Sequence, residues 1–189
     1  MTKQQKLHTL KTKMLNDQAL PLRKTATQLV FGEGNPDADL YFLGEAPGKV
    51  EDESGRPFVG RSGKLLDALL EQIGIPRESV YITSVVRFRP PANRQPTPSE
   101  IAAFLPYVNE EIAIIDPKLI IPLGRFALEK FFPEAKISHV HGQLLSRKWA
   151  NRTIHLFPLF HPAAALRSPQ IREQLQKDFQ KLPDIIKRF

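Results

Sequence analysis

Two short segments of the chain carry residue types suited to acid–base chemistry. Gly44-Glu45-Ala46-Pro47-Gly48 offers a carboxylate, and His161-Pro162-Ala163-Ala164-Ala165-Leu166-Arg167 offers an imidazole followed by a guanidinium. Each follows an apolar run, residues 40–43 and 154–160, that reads as a buried strand. Ligands of open parallel sheets bind in the crevice outside the carboxyl ends of the strands, so a carboxylate after one strand and an imidazole after another can face one pocket. A pair so placed is the arrangement of an active site.

The rest of the chain supplies elements to hold these segments. Residues 3–16 set Leu7, Leu10, Met14 and Leu15 among lysines, the pattern of an amphipathic helix. Gly32-Glu33-Gly34-Asn35-Pro36 turns the chain into the first strand, and the stretch from Gly48 to Gly63 is polar with little periodicity. A helix then carries Leu65, Leu66, Leu69, Leu70 and Ile73 on one face and ends at Gly74 and Pro76. Residues 80–86 form a second β-rich run, and 87–98, with four prolines and three arginines, must be loop. Thr97-Pro98-Ser99-Glu100 opens a helix whose apolar face includes Phe104, Val108 and Ile112. Residues 118–124 read as a third strand followed by a helix, and 168–188 as one last basic helix. Strands separated by helix-sized segments imply right-handed crossovers and a parallel sheet covered on both faces.

A length of 189 residues fits one domain spanning 1–189. Hydrophobic residues at 41% and charged ones at 25% are ordinary for a globular chain, and no apolar run approaches the ~18 residues needed to cross a bilayer. Residues 1–6 are polar and basic with no apolar stretch after them, so we expect no secretory signal, no membrane partner and a cytoplasmic protein. The net charge of +7 favours a polyanionic partner, nucleic acid first, although the same lysines also serve a solvated surface. Arg87, Arg89, Arg94 and Arg167 are cations suited to gripping phosphates. Cysteine is absent, which excludes disulfides, thiolate zinc sites and cysteine-ligated iron–sulfur clusters, and the expectation is no metal and no cofactor.

Glycines and prolines through residues 44–63 keep side chains off the backbone where main-chain amides approach a ligand, a composition that also describes a surface connection. Neither the Walker spacing nor G-x-G-x-x-G is present, which argues against a nucleotide-binding loop. Several motifs occur in order: VFGEGN at 30–35, GEAPG at 44–48, Glu51-Asp52, GRPFVG at 55–60, Thr83-Ser84-Val85-Val86, RFRPP at 87–91 and HPAAALR at 161–167. In this series, residues 17–186 closely resemble the family 4 uracil-DNA glycosylases.

That resemblance implies a three-layer αβα sandwich around a four-stranded parallel sheet. It also implies a protein that flips uracil out of DNA and hydrolyses its N-glycosidic bond in base-excision repair; we expect a monomer. Phe58 matches the phenylalanine that stacks on uracil. Glu45 matches a carboxylate that orients water and favours oxocarbenium charge, with Ala46, Pro47 and Gly48 beside the base. His161 matches the donor to the uracil oxygen. Pro162, Ala163, Ala164, Leu166 and Arg167 match the loop that enters the minor groove and fills the gap left by the flipped base.

Two departures stand out. Family members hold an iron–sulfur cluster with four cysteines, and aligning the flanking residues puts Asp17, Leu20, Phe88 and Phe104 at those places. Two phenylalanines and a leucine can fill a cluster-sized void with apolar volume. Ser84 stands where the family has an asparagine that reads the uracil edge. An amide pairs with that edge through both donor and acceptor, whereas a hydroxyl is shorter and rotates to suit several bases. The sequence thus admits a glycosylase for uracil or another deaminated base, and a non-catalytic nucleic-acid-binding protein that keeps the fold.

Overall fold

A computed structural model describes residues 1–189. The chain runs through α1 (Lys3–Asn16), β1 (Glu33–Gly34), β2 (Leu40–Gly44), α2 (Lys49–Ser54) and α3 (Arg61–Gln72) to β3 (Tyr81–Ser84). After a proline-rich loop come α4 (Pro98–Ile115), β4 (Leu119–Pro122), α5 (Arg125–Glu129) and α6 (Ile137–Val140). A hairpin of β5 (Leu145–Trp149) and β6 (Arg152–Leu156) precedes α7 (Pro162–Ala165), α8 (Pro169–Phe179) and α9 (Leu182–Ile186).

One sheet runs through the molecule in the order β1-β3-β2-β4-β6-β5. It is six-stranded and mixed, where a four-stranded parallel sheet was expected. The inner strands β3, β2, β4 and β6 pair in parallel, and the edge strands β1 and β5 are antiparallel to their neighbours. Both edges escape periodicity for physical reasons: β1 is two residues long, and β5 reads Leu-Ser-Arg-Lys-Trp, the charged composition that guards an edge. The run expected at 154–160 is strand only to Leu156, because Pro158 has no amide to give to a ladder. It continues beside β4 through an isolated Leu123–Leu159 bridge.

Strand alternation sends side chains to two cores. Tyr41, Leu43, Tyr81 and Ile120 pack with Leu7, Leu10 and Met14 of α1 and Phe104, Val108 and Ile112 of α4. On the other face Leu40, Phe42, Ile82 and Ile121 meet Leu65, Leu66, Leu69 and Leu70 of α3, Leu175 and Phe179 of α8, and Leu182 and Ile185 of α9. The single C-terminal helix expected over 168–188 is two helices, the second with Pro183 in its first turn, where a missing amide costs little.

The positions aligned with the family's cysteines belong to the first core. Leu20, Phe88 and Phe104 are buried there, with the two rings 6.2 Å apart and tilted by 58°. Asp17 accepts a 2.5 Å hydrogen bond from the Tyr107 hydroxyl, which holds its carboxyl below the usual range. An apolar pair of rings, a leucine and a hydrogen-bonded carboxylate do not fit a cluster that needs four thiolates. The purified protein should therefore be colourless and free of stoichiometric iron by elemental analysis. Phe104→Ala should cost about 3–5 kcal/mol in denaturant unfolding; bound iron, or a loss below about 1 kcal/mol, would contradict the packing account.

Candidate active site

The parallel strands end at one edge of the sheet, and the chemistry-bearing segments leave from there. Gly44 closes β2 in register with Ser84 at the end of β3, and the next amides, of Val85 and Val86, donate to the carbonyls of Gly44 and Glu45 at 2.9 and 3.0 Å. Beyond β4, the Gly124 amide donates to the Leu159 carbonyl at 2.8 Å, bringing the chain before His161 alongside. Gly124 has φ +84°, and a Cβ on it would stand 2.9 Å from the His161 Cβ. Glycine is required where these two segments touch.

These segments border a cavity of about 290 Å³. Glu45, Phe58, Ser84 and His161 line it, with Ala46, Pro47 and Gly48 along one wall and Arg94, Ala163 and Arg167 at the rim. Phe58 is only 6% exposed and lies so close to Gly44 that a Cβ there would come within 2.5 Å of the ring. Its centroid is 5.6 Å from that of His161. A flat aromatic surface and an imidazole therefore share one small space.

Some of the polar groups that line the cavity are spent within the protein and three are not. The Nδ1 of His161 accepts the Ala163 amide at 3.0 Å, which assigns the proton of the neutral ring to Nε2. Burial, helped by the Arg167 charge, pushes its pKa down to about 4, so the ring is a neutral donor at physiological pH. Burial pushes the Glu45 carboxyl up, against a smaller downward pull from Arg125. Neither the Glu45 carboxylate, the Ser84 hydroxyl nor His161 Nε2 has a hydrogen-bond partner within the protein.

The expected phosphate contacts divide. Arg167 is exposed on the rim, and Leu166 is 38% exposed beside it, while Pro162 is buried as the first residue of α7 and Ala164 is half-buried. Arg94 is on the rim but is held bidentately by Glu100 at 2.7 and 2.8 Å. Arg89 is half-buried and spends its Nε on Asn93 at 2.7 Å. Arg87 does not belong with them. It is 1% exposed, and both terminal nitrogens bind Glu111 at 3.0 and 2.7 Å, because a buried guanidinium requires a buried carboxylate. Sequence reading missed Asn93 and Gln95, which also line the cavity; their loop was legible only as proline-rich connection.

Residues 31–183 match the uracil DNA glycosylase superfamily. The chain belongs to that superfamily. It is 41% identical over 185 residues to a type-4 uracil-DNA glycosylase of Sulfurisphaera tokodaii, covering 95% of this chain and 84% of the relative. It is 44% identical over 174 residues to a type-4 uracil-DNA glycosylase of Thermotoga maritima, covering 90% and 89%. A third such relative, of Archaeoglobus fulgidus, is 42% identical over 169 residues, covering 87% and 85%.

In this superfamily member the state of His161 is open to a direct check. Between pH 6.5 and about 4 the unfolded chain takes up a proton at this residue that the folded protein refuses. Stability should therefore fall, relative to His161→Gln, as pH drops through that window, and the difference should be flat above it. Denaturant midpoints of both proteins from pH 4 to 8 measure this, and a difference that does not change with pH would contradict a ring held neutral by the fold.

Proposed function

We propose that this protein is a DNA glycosylase that accepts a uracil, or another deaminated base, extruded from DNA and hydrolyses its N-glycosidic bond. The observation that carries the reading is the meeting of three unpartnered polar groups, on Glu45, Ser84 and His161, around the Phe58 ring in one cavity. Polar groups free of protein partners in a concave site are available to pair with a ligand. The relatives' activity points the same way.

The reaction follows from the groups. As the bond between base nitrogen and sugar C1′ lengthens, its electron pair moves to the base and positive charge develops on the sugar. His161 Nε2–H donates to a base carbonyl oxygen that gains negative charge, and a neutral donor does this without having to lose a proton. The Glu45 carboxylate faces the cationic sugar and orients a water whose oxygen bonds to C1′; its raised pKa suits it to take that water's proton. Phe58 stacks on the base and the Ser84 hydroxyl meets its edge. The exposed Leu166 and the neighbouring Arg167 would form a wedge into the duplex whose contacts offset the cost of unstacking. The reading includes a monomer working in the cytoplasm on DNA, with every step supplied by side chains and no membrane partner.

Single-turnover excision of uracil, hypoxanthine and xanthine tests this. His161→Ala should slow the wild-type reaction by about 10²–10³-fold. Ser84→Asn should raise preference for uracil by restoring a two-point match to its edge. If the wild type releases none of these bases and Ser84→Asn creates no uracil excision, the protein is a binding module that keeps the fold.

A further inference from the structure

Phe58 lies in the left-handed region, with φ +50°, a conformation unfavourable for any residue with a Cβ. A residue persists there only where its surroundings hold the backbone. Two side chains do so from opposite sides. Arg77, in the turn before β3, donates to the carbonyls of Pro57 and Phe58 at 2.6 and 3.0 Å. Glu51, in α2, accepts the amides of Val59 and Gly60 through one carboxylate oxygen at 3.0 and 2.7 Å.

Both partners are themselves fixed. Arg77 is anchored by Asp67 and Glu33. Glu51 is 8% exposed and its helix is tied by the adjacent Asp52, whose carboxylate accepts the Thr27 amide and hydroxyl at 2.9 and 2.8 Å. The glycines of the two motifs make room for Glu51: a Cβ on Gly48 would stand 2.9 Å from one of its oxygens, and a Cβ on Gly60 3.0 Å from the other.

We propose that Glu51 and Arg77 are positioning residues for base recognition, acting through Phe58 by gripping the amides on one side of it and the carbonyls on the other. The proposal rests on the reading of Phe58 as the surface on which the extruded base stacks. It gives the paired acids at 51 and 52 a role distinct from that of Glu45: Glu51, which also borders the cavity, sets the platform through the Val59 and Gly60 amides, and Asp52 ties down its helix.

The test combines amide exchange with a double-mutant cycle. Glu51→Ala should raise hydrogen exchange at the Val59 and Gly60 amides by about tenfold or more and slow single-turnover excision by roughly 10- to 100-fold. Glu51→Gln should recover most of both, because an amide oxygen can accept the same two bonds. Arg77→Lys, which keeps a cation beside Asp67 but cannot span two carbonyls, should also slow excision. In a Phe58→Ala background, Glu51→Ala should change the rate less than about threefold, since the platform it serves is gone. Additive losses, a Gln variant as poor as Ala, or unchanged protection of the two amides would each overturn the proposal. A wild type that excises no base would count against the glycosylase reading alone, and the exchange measurement would still decide the clamp.

Discussion

The constraint on which the arrangement depends is the buried carboxylate of Glu111. It is fully enclosed and takes hydrogen bonds from the hydroxyls of Tyr41 and Tyr81, at 2.6 and 3.1 Å, and from both terminal nitrogens of Arg87. A charge in that position is tolerable only with all its donors present, and removing one partner of such a pair typically costs about 3–5 kcal/mol. The group joins α4 to β2, to β3 and to the first residues beyond β3. Arg87 in turn accepts the Val30 amide on its carbonyl, so the wall carrying Val30 and the loop carrying Asn93 and Gln95 both start from this point. Burial also raises both tyrosine pKa values far above their usual range, which keeps the hydroxyls as donors.

Given that frame, the site is a matter of close approach at the carboxyl ends of parallel strands. Gly44 lets an aromatic ring lie on the backbone, and Gly124 lets His161 touch the end of β4. Burial then acts on two titratable groups in opposite directions. It raises Glu45 and lowers His161, favouring the neutral form of each, while Arg125 tempers the first effect and Arg167 adds to the second. The result is a carboxylate more ready to take a proton and an imidazole that is neutral at physiological pH, a division of labour set by environment.

Much of this was legible in the sequence because it rests on local pattern. The four inner strands read as apolar runs, α1, α3 and α4 show helical periodicity, and Glu45 and His161 follow strands, so the sheet rule places them together. What escaped depends on partners distant in sequence. The helix α2 has two charged residues, Glu51 and Asp52, as its buried face, and no hydrophobic period reveals an element held by carboxylates binding backbone. Arg87 sits in a run of arginines that looks solvent-facing, and only Glu111, 24 positions away, shows that it is interior. Arg77 gave no signal at all, since its clamp on Pro57 and Phe58 joins a turn to a loop. The replacement of cluster ligands by Leu20, Phe88 and Phe104 was readable as side-chain volume, because apolar residues in place of cysteines have few destinations other than a core.

On the proposed reading, the cavity between Gly44 and His161 receives a base extruded from DNA. A crystal structure of the protein with DNA containing 2′-fluoro-2′-deoxyuridine, whose glycosidic bond resists cleavage, tests it most directly. The uracil should lie face to face with the Phe58 ring, with a carbonyl oxygen about 2.7–3.1 Å from His161 Nε2 and the Ser84 hydroxyl at the base edge. A uracil that stays stacked in the duplex, with the cavity facing away from the DNA, would contradict it.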